Sequence, residues 1–133
     1  MTEIKFKVGK VEDSAQIIAV YDSSGINRPT TDFKRIEKMY LNSNLIVSAW
    51  KGNELIGIAR SLTDFCYACY LSDLAVKKEY QHYGIGKQLI ELTREQIGEK
   101  TTLILLSASD AMTYYPKVGF DKIENGFIIK RKK

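Results

Sequence analysis

Leu74-Ala75-Val76-Lys77-Lys78-Glu79-Tyr80-Gln81-His82-Tyr83-Gly84-Ile85-Gly86-Lys87 changes character twice within a short stretch. Leu74, Ala75 and Val76 end a run of strand-type residues, and a charged turn follows. Ile85, Leu89 and Leu92 then recur at the spacing of one helix face, and Gly98 suits the C-terminal cap of a helix over residues 85–97. Glycine has a physical purpose where the turn meets the helix. Gly84 and Gly86 let a bulky anion approach the backbone, the first N–H groups of the helix have no partner within it, and its dipole favours negative charge. A diphosphate fits that description, and Lys87 adds a cation beside it. Ordinary turn glycines would look the same in isolation.

Upstream of this stretch, Ile4, Phe6 and Val8 alternate with Glu3, Lys5 and Lys7, the period of a strand with one buried face. Asp13 followed by Gln16 reads as a capping box for a helix carrying Ile17, Ile18 and Tyr21 and ending before Gly25. A second helix is expected over residues 31–41, with Phe33, Ile36 and Tyr40 on one face. Residues 45–50 and 55–62 are β-rich and separated by Lys51-Gly52-Asn53-Glu54, a hairpin pattern, and residues 67–76 make a third consecutive strand. Downstream, the apolar run 103–106 suggests a strand covered on both faces, followed by a short helix over residues 110–115. Residues 120–130 are expected to close the sheet with one or two strands turning near Asn125-Gly126. The order implies an α+β fold, an α/β sandwich: a mixed, mostly antiparallel sheet of six or seven strands flanked by about four helices.

A chain of 133 residues with 44% hydrophobic content suits one compact domain, residues 1–133. The net charge is +4, and Lys130, Arg131, Lys132 and Lys133 at the end of the chain carry four positives, so the remainder is nearly neutral. A basic tail can bind nucleic acid or anionic lipid, but no basic, aromatic-interleaved stripe accompanies it, and a solvated tail is the plainer reading. Neither a nucleic-acid nor a membrane partner is expected. Cys66 and Cys69 form a Cys-x-x-Cys pair set among strand-type residues, which would point the two thiols to opposite faces, and no second ligand pair exists; no metal is expected. The charged, alternating segment 1–9 resembles neither a signal peptide nor a membrane span, so the expected location is cytoplasmic.

Two well-known phosphate loops fail on inspection. The dinucleotide fingerprint requires a third glycine where Leu89 stands, and the triphosphate loop requires Ser or Thr where Gln88 stands. The stretch instead resembles the cofactor motif of the GNAT superfamily of N-acetyltransferases: Gln or Arg, two residues, Gly, one residue, then Gly or Ala, met by Gln81, Gly84 and Gly86. A second stretch, Ala111-Met112-Thr113-Tyr114-Tyr115-Pro116-Lys117-Val118-Gly119-Phe120, resembles that family's downstream Ala-x-x-aromatic-Tyr-x-Lys-x-Gly-Phe signature. Two motifs in order are far more specific than one, although the first 60 residues or so carry only the pattern of elements.

The resemblance implies an acetyltransferase that uses acetyl-CoA as co-substrate. It implies that the strand ending at Val76 splays from its neighbour to admit the pantetheine arm against the backbone of Leu74, Ala75 and Val76. The pyrophosphate would lie on the N–H groups of Gln81, His82, Tyr83, Gly84, Ile85, Gly86 and Lys87. Relatives carry Asn seven residues before the motif tyrosine, where this chain has Ala108, so the contacts of that amide are in doubt.

An amine must be neutral to attack a thioester, and with a pKa near 10.4 only about one in a thousand is neutral at pH 7. Asp73, just before the cofactor stretch, is placed to take the proton directly or through water; it would equally well order a loop or bind the ammonium. Tyr115, at the motif position, is the candidate to protonate the leaving thiolate, and backbone N–H near Val76 to steady the oxyanion. The acceptor is expected to be a small-molecule or peptide primary amine, attacking directly in a ternary complex, and a homodimer is compatible with the sequence. A non-catalytic acyl-CoA sensor on the same scaffold is the alternative.

Overall fold

The computed structural model describes residues 3–133; Met1 and Thr2, where the alternating N-terminal pattern begins, lie outside the described residues. Five strands form one sheet in sequence order: β1 (Ile4–Val8), β2 (Leu45–Lys51), β3 (Glu54–Thr63), β4 (Ala68–Val76) and β5 (Thr102–Ile104). The first four pair antiparallel and β5 runs parallel to β4. The helices are α1 (Ser14–Ser24), α2 (Phe33–Leu41), α3 (Ile85–Ile97) and the single turn α4 (Tyr114–Lys117). No helix among the described residues is long and apolar enough to cross a membrane.

The layers follow from side-chain alternation. Along β2, Leu45, Val47 and Ala49 pack with Leu89, Ile90 and Ile97 of α3, while Ile46 packs with Ile17, Tyr21, Ile36 and Tyr40 of α1 and α2. Each face of the sheet therefore has its own core. A register shift opposite Arg60 and Ser61 leaves Ser72 as an extra residue in β4, since Arg60 pairs with Asp73 and Ser61 with Leu71. Cys69 and Leu71 accordingly belong to the α3 core, whereas Asp73 and Ala75 turn toward α1 and α2.

The capping residues do most of what their types predict. Asp13 accepts a hydrogen bond from Gln16 N at 3.2 Å. Gln16, however, does not return the bond as in a capping box. Its side chain reaches the β2–β3 hairpin, accepting from Leu55 N at 2.8 Å and donating to Asn53 O at 3.1 Å, and so ties α1 to the sheet.

The sheet has five strands rather than six or seven. Residues 121–133 form neither strand nor helix and are exposed throughout. The expected closing strands would need a long edge to pair with, and β5 is three residues long; a hairpin without such support is marginal in water. The apolar run 103–106 is likewise not covered on both faces: Ile104 is 40% and Leu106 63% exposed, because β5 is the edge of the sheet. Cys66 lies in the β3–β4 turn and is exposed, Cys69 is buried, and both are free thiols. No group of three metal-ligating side chains occurs among the described residues.

Candidate active site

β4 and β5 share three pairs, Ala68 with Thr102, Cys69 with Leu103 and Tyr70 with Ile104. Beyond Tyr70, β4 continues to Val76 with β3 on one side and no strand on the other. The two strands thus part at the C-terminal end of the sheet, the end where ligands bind in open α/β sheets. Leu74, Ala75 and Val76 line the unpaired stretch. Gln81 Nε2 donates to Val76 O at 2.9 Å, folding the following turn back against the strand end.

That turn is unusual in its backbone. After a 3₁₀ turn over Lys78–Tyr80, His82 adopts φ +70° and Gly84, the N-cap of α3, adopts φ +81°. Holding a non-glycine residue in the left-handed region costs about 1–2 kcal/mol, a strain that concentrates at ligand sites. The first helical hydrogen bond of α3 runs from Gln88 N to Gly84 O at 3.0 Å, so the N–H groups of Ile85, Gly86 and Lys87 have no helical acceptor, and no side chain caps them. A Cβ at Gly84 would meet nothing within 4 Å, which leaves the approach to these donors open. His82, Tyr83 and Lys87 are exposed around it. Gln81 differs from expectation, since its own N–H is bonded to Lys78 O at 3.3 Å; its contribution is the side-chain tie to Val76.

The second motif arrives directly above the first. A Cβ on Gly86 would stand 2.8 Å from the hydroxyl of Tyr114, so α4 lies against the first turn of α3 through the space glycine leaves. Tyr115 packs edge-to-face on Tyr114 (centroids 5.2 Å apart) and on Phe120 (5.5 Å), half-buried at the same end of the sheet. Burial raises its hydroxyl pKa above the ordinary value; the neighbouring Tyr114 adds to the rise and the charge of Arg28 opposes it.

Asp73 is not placed as a free base. Its carboxylate is 1% exposed and fully engaged: Arg28 Nε donates to one oxygen at 2.5 Å, Arg60 Nε to the other at 2.5 Å, and Tyr21 Oη to the latter at 2.7 Å. Tyr21 is in turn hydrogen-bonded to Tyr40. Burial acts to raise the Asp73 pKa, but the Arg60 hydrogen bond and the charges of Arg60 and Arg28 outweigh it and hold the carboxyl below its usual value. Burial raises Tyr21 and Tyr40, so both stay neutral. A carboxylate neutralised by two guanidinium groups anchors structure rather than accepting protons.

Arg28 and Arg60 were not singled out from the sequence. Arg28 also donates to Ser72 O at 2.8 Å, pinning the α1–α2 loop to β4 within the stretch that has no β5 partner. Arg60 donates to Ser43 Oγ and Ser72 Oγ, each at 3.0 Å. The available signal was a charged residue in each of two consecutive apolar strands, Arg60 and Asp73, a pattern that burial tolerates only as a pair.

Residues 17–130 match the family model for an acetyltransferase (GNAT) domain. Among curated proteins, the uncharacterised N-acetyltransferase ycf52 of the alga Pyropia yezoensis is 29% identical over 112 residues, covering 79% of this chain and 63% of that protein. The chain thus spans just under two thirds of that relative's length. In fold, it matches the crystal structure of a probable acetyltransferase of meticillin-resistant Staphylococcus aureus with TM-score 0.82, at 24% identity over 97% of this chain and 100% of the other. The PaiA N-acetyltransferase of Thermoplasma acidophilum, solved in complex with coenzyme A, matches with TM-score 0.71 at 21% identity, over 94% and 93% of the two chains.

Proposed function

This chain belongs to the GNAT acetyltransferase family, and from that premise we propose that it transfers an acetyl group from acetyl-CoA to a primary amine by direct attack in a ternary complex. The observation that carries the reading is the parting of β4 from β5 at the same point where the open N-terminus of α3 and α4 converge. The coenzyme held by the Thermoplasma neighbour supports the choice of co-substrate.

The residues fit such a ligand. In this reading Leu74, Ala75 and Val76 offer backbone groups along the unpaired edge of β4 to the pantetheine arm. The N–H groups around His82, Tyr83, Gly84, Ile85, Gly86 and Lys87 receive the diphosphate, with the helix dipole and the Lys87 ammonium adding to the attraction. Acetyl-CoA supplies an activated carbonyl joined to a good leaving group. Backbone N–H near Val76 steadies the carbonyl oxygen, and Tyr115, kept protonated by its raised pKa, donates the proton that the departing thiolate needs. Asp73 takes no part in proton transfer; it holds Arg28 and Arg60 and so positions β4. Deprotonation of the amine falls to water. The acceptor enters beside the loop carrying Arg28. The domain acts as one unit over residues 1–133, in the cytoplasm, without metal or nucleic acid.

A panel of primary amines, scored by release of free thiol from acetyl-CoA, tests the reaction. Acceptor-dependent release is expected; binding of acetyl-CoA without release for any amine would leave only a sensor.

A further inference from the structure

We infer, on the basis of the acetyl transfer proposed above, that the acceptor is a small molecule bearing a carboxylate as well as its primary amine, and that Arg28 receives the carboxylate. Arg28 then sets the acceptor specificity of the enzyme.

Three charges meet on β4, and they do not cancel. Arg28 and Arg60 both pair with Asp73, two guanidinium groups on one carboxylate. Among the described residues no other carboxylate forms a salt bridge with either of them. Tyr21 and Tyr40 supply no second anion, because burial keeps both phenols neutral. One positive charge is left over. The Arg60 side chain is 9% exposed and the Arg28 side chain 26%, so the excess is offered to a ligand through Arg28. A charge held largely out of water is costly until it is paired, and an anion arriving from solvent removes that cost.

The donors of Arg28 are also incompletely used. A guanidinium has five N–H groups. Nε donates to Asp73 Oδ1 at 2.5 Å, Nη1 to Asn27 O at 2.7 Å and Nη2 to Ser72 O at 2.8 Å. One N–H therefore remains on each terminal nitrogen, a pair suited to the two oxygens of a carboxylate. The three bonds already made hold the fork in place, so little side-chain freedom is lost when a ligand arrives.

The position fits an acceptor. Ser72 and Asp73 come just before Leu74, in the part of β4 that has no β5 partner. The charge of Arg28 is felt at the Tyr115 hydroxyl, where it opposes the effect of burial. The guanidinium thus stands within electrostatic reach of the candidate acid. Its loop, meanwhile, is braced by bonds that do not involve this side chain: Gly25 N donates to Tyr21 O at 3.1 Å, Ile26 N to Ser24 Oγ at 3.3 Å and Lys78 N to Ser23 Oγ at 2.9 Å. The same excess charge disfavours acceptors with several ammonium groups, which meet a cation where a carboxylate is wanted.

The test offers α-, β- and γ-amino acids, each beside its own amide, to the full chain with acetyl-CoA and scores thiol release. In Arg28→Gln the preference for acid over amide, taken as a ratio of kcat/KM values, should fall roughly tenfold or more, the scale of a charge-assisted hydrogen bond. The fall should lie in KM rather than kcat. Amine basicity cancels when the two proteins are compared, and a side chain that only braced the loop would slow acid and amide alike; a ratio that does not move overturns the inference. Should Arg28→Gln fail to fold, calorimetry on the wild-type protein with coenzyme A decides. Amino acids binding about tenfold more tightly than their amides support the site, and equal binding overturns it. Such binding without thiol release from any amine would keep the carboxylate site and remove the acetyl transfer. Thiol release that is as fast with amides as with amino acids would keep the transfer and remove the role of Arg28.

Discussion

The hydroxyl of Tyr114 lies 2.8 Å from the point that a Cβ on Gly86 would occupy. The second glycine of the cofactor motif is therefore required by packing within the protein as well as by any ligand. An alanine there forces the phenol aside, and overpacking of this kind costs about 1–3 kcal/mol. Gly86→Ala should lower the melting temperature and the affinity for acetyl-CoA together. The next atom of the ring, Tyr114 Cζ, stands 3.8 Å from the same point, an ordinary contact, so adding Tyr114→Phe should restore much of both. A double variant no more stable than Gly86→Ala would show that the clash is not the cause.

Gly84 differs in kind. Nothing lies within 4 Å of its would-be Cβ, but φ is +81°, a conformation costly for a side chain. Gly84→Asp adds that strain and places a carboxylate where the diphosphate is proposed to sit. Calorimetric titration with acetyl-CoA should show a loss of tenfold or more, roughly 1.4 kcal/mol at least. Full affinity in this variant would remove the diphosphate from the turn.

Tyr115→Phe should cut turnover on the order of a hundredfold, a typical contribution of a general acid, with the acetyl-CoA dissociation constant nearly unchanged. Burial raises the hydroxyl pKa, so the group is protonated below its folded value and its activity declines only as pH rises above about 10, the ordinary tyrosine value. Wild-type turnover in the variant, or a basic limb that survives the substitution, would take the acid role away from this residue.

Asp73→Asn leaves two buried guanidinium groups without their counterion and should destabilise the fold by about 3–5 kcal/mol in urea unfolding. The sign with pH follows from the lowered carboxyl pKa. A depressed folded-state value stabilises above the unfolded pKa of about 3.9 and is lost as pH falls through the folded value. Wild-type stability should therefore drop in that acid window, and the Asn variant should lack that component. If the variant were instead fully stable and inactive, the carboxylate would regain the role of base.

Much of the fold was legible because local signals and global pattern agree. The helix 85–97, with Gly98 as its cap, and the run of three strands lie where periodicity and glycine place them. The turn at Gly84 was legible for the same reason, since its geometry is local. What escaped was non-local. Arg28, in a loop after α1, reaches Ser72 and Asp73 far along the chain, and nothing in its neighbours announces that reach. The apolar run 103–106 and the residues after Phe120 carry strand chemistry, but pairing depends on what edge is within reach, and that is a property of the assembled sheet rather than of the segment. The packing of Tyr114 on Gly86 escaped for the same reason, because it joins two segments distant in sequence.

The additional residue in β4 has one further consequence. Ser72 resets the odd and even positions of the strand, so Leu71 and Asp73, which an unbroken pleat would send to the same layer, serve opposite ones. Pairing Ser72 as an ordinary rung of the ladder would change no chemistry in the strand, yet it would deliver the carboxylate to the hydrophobic layer beneath α3 and strand both arginines. The irregularity of this strand is thus as strictly constrained as the identity of any residue in it.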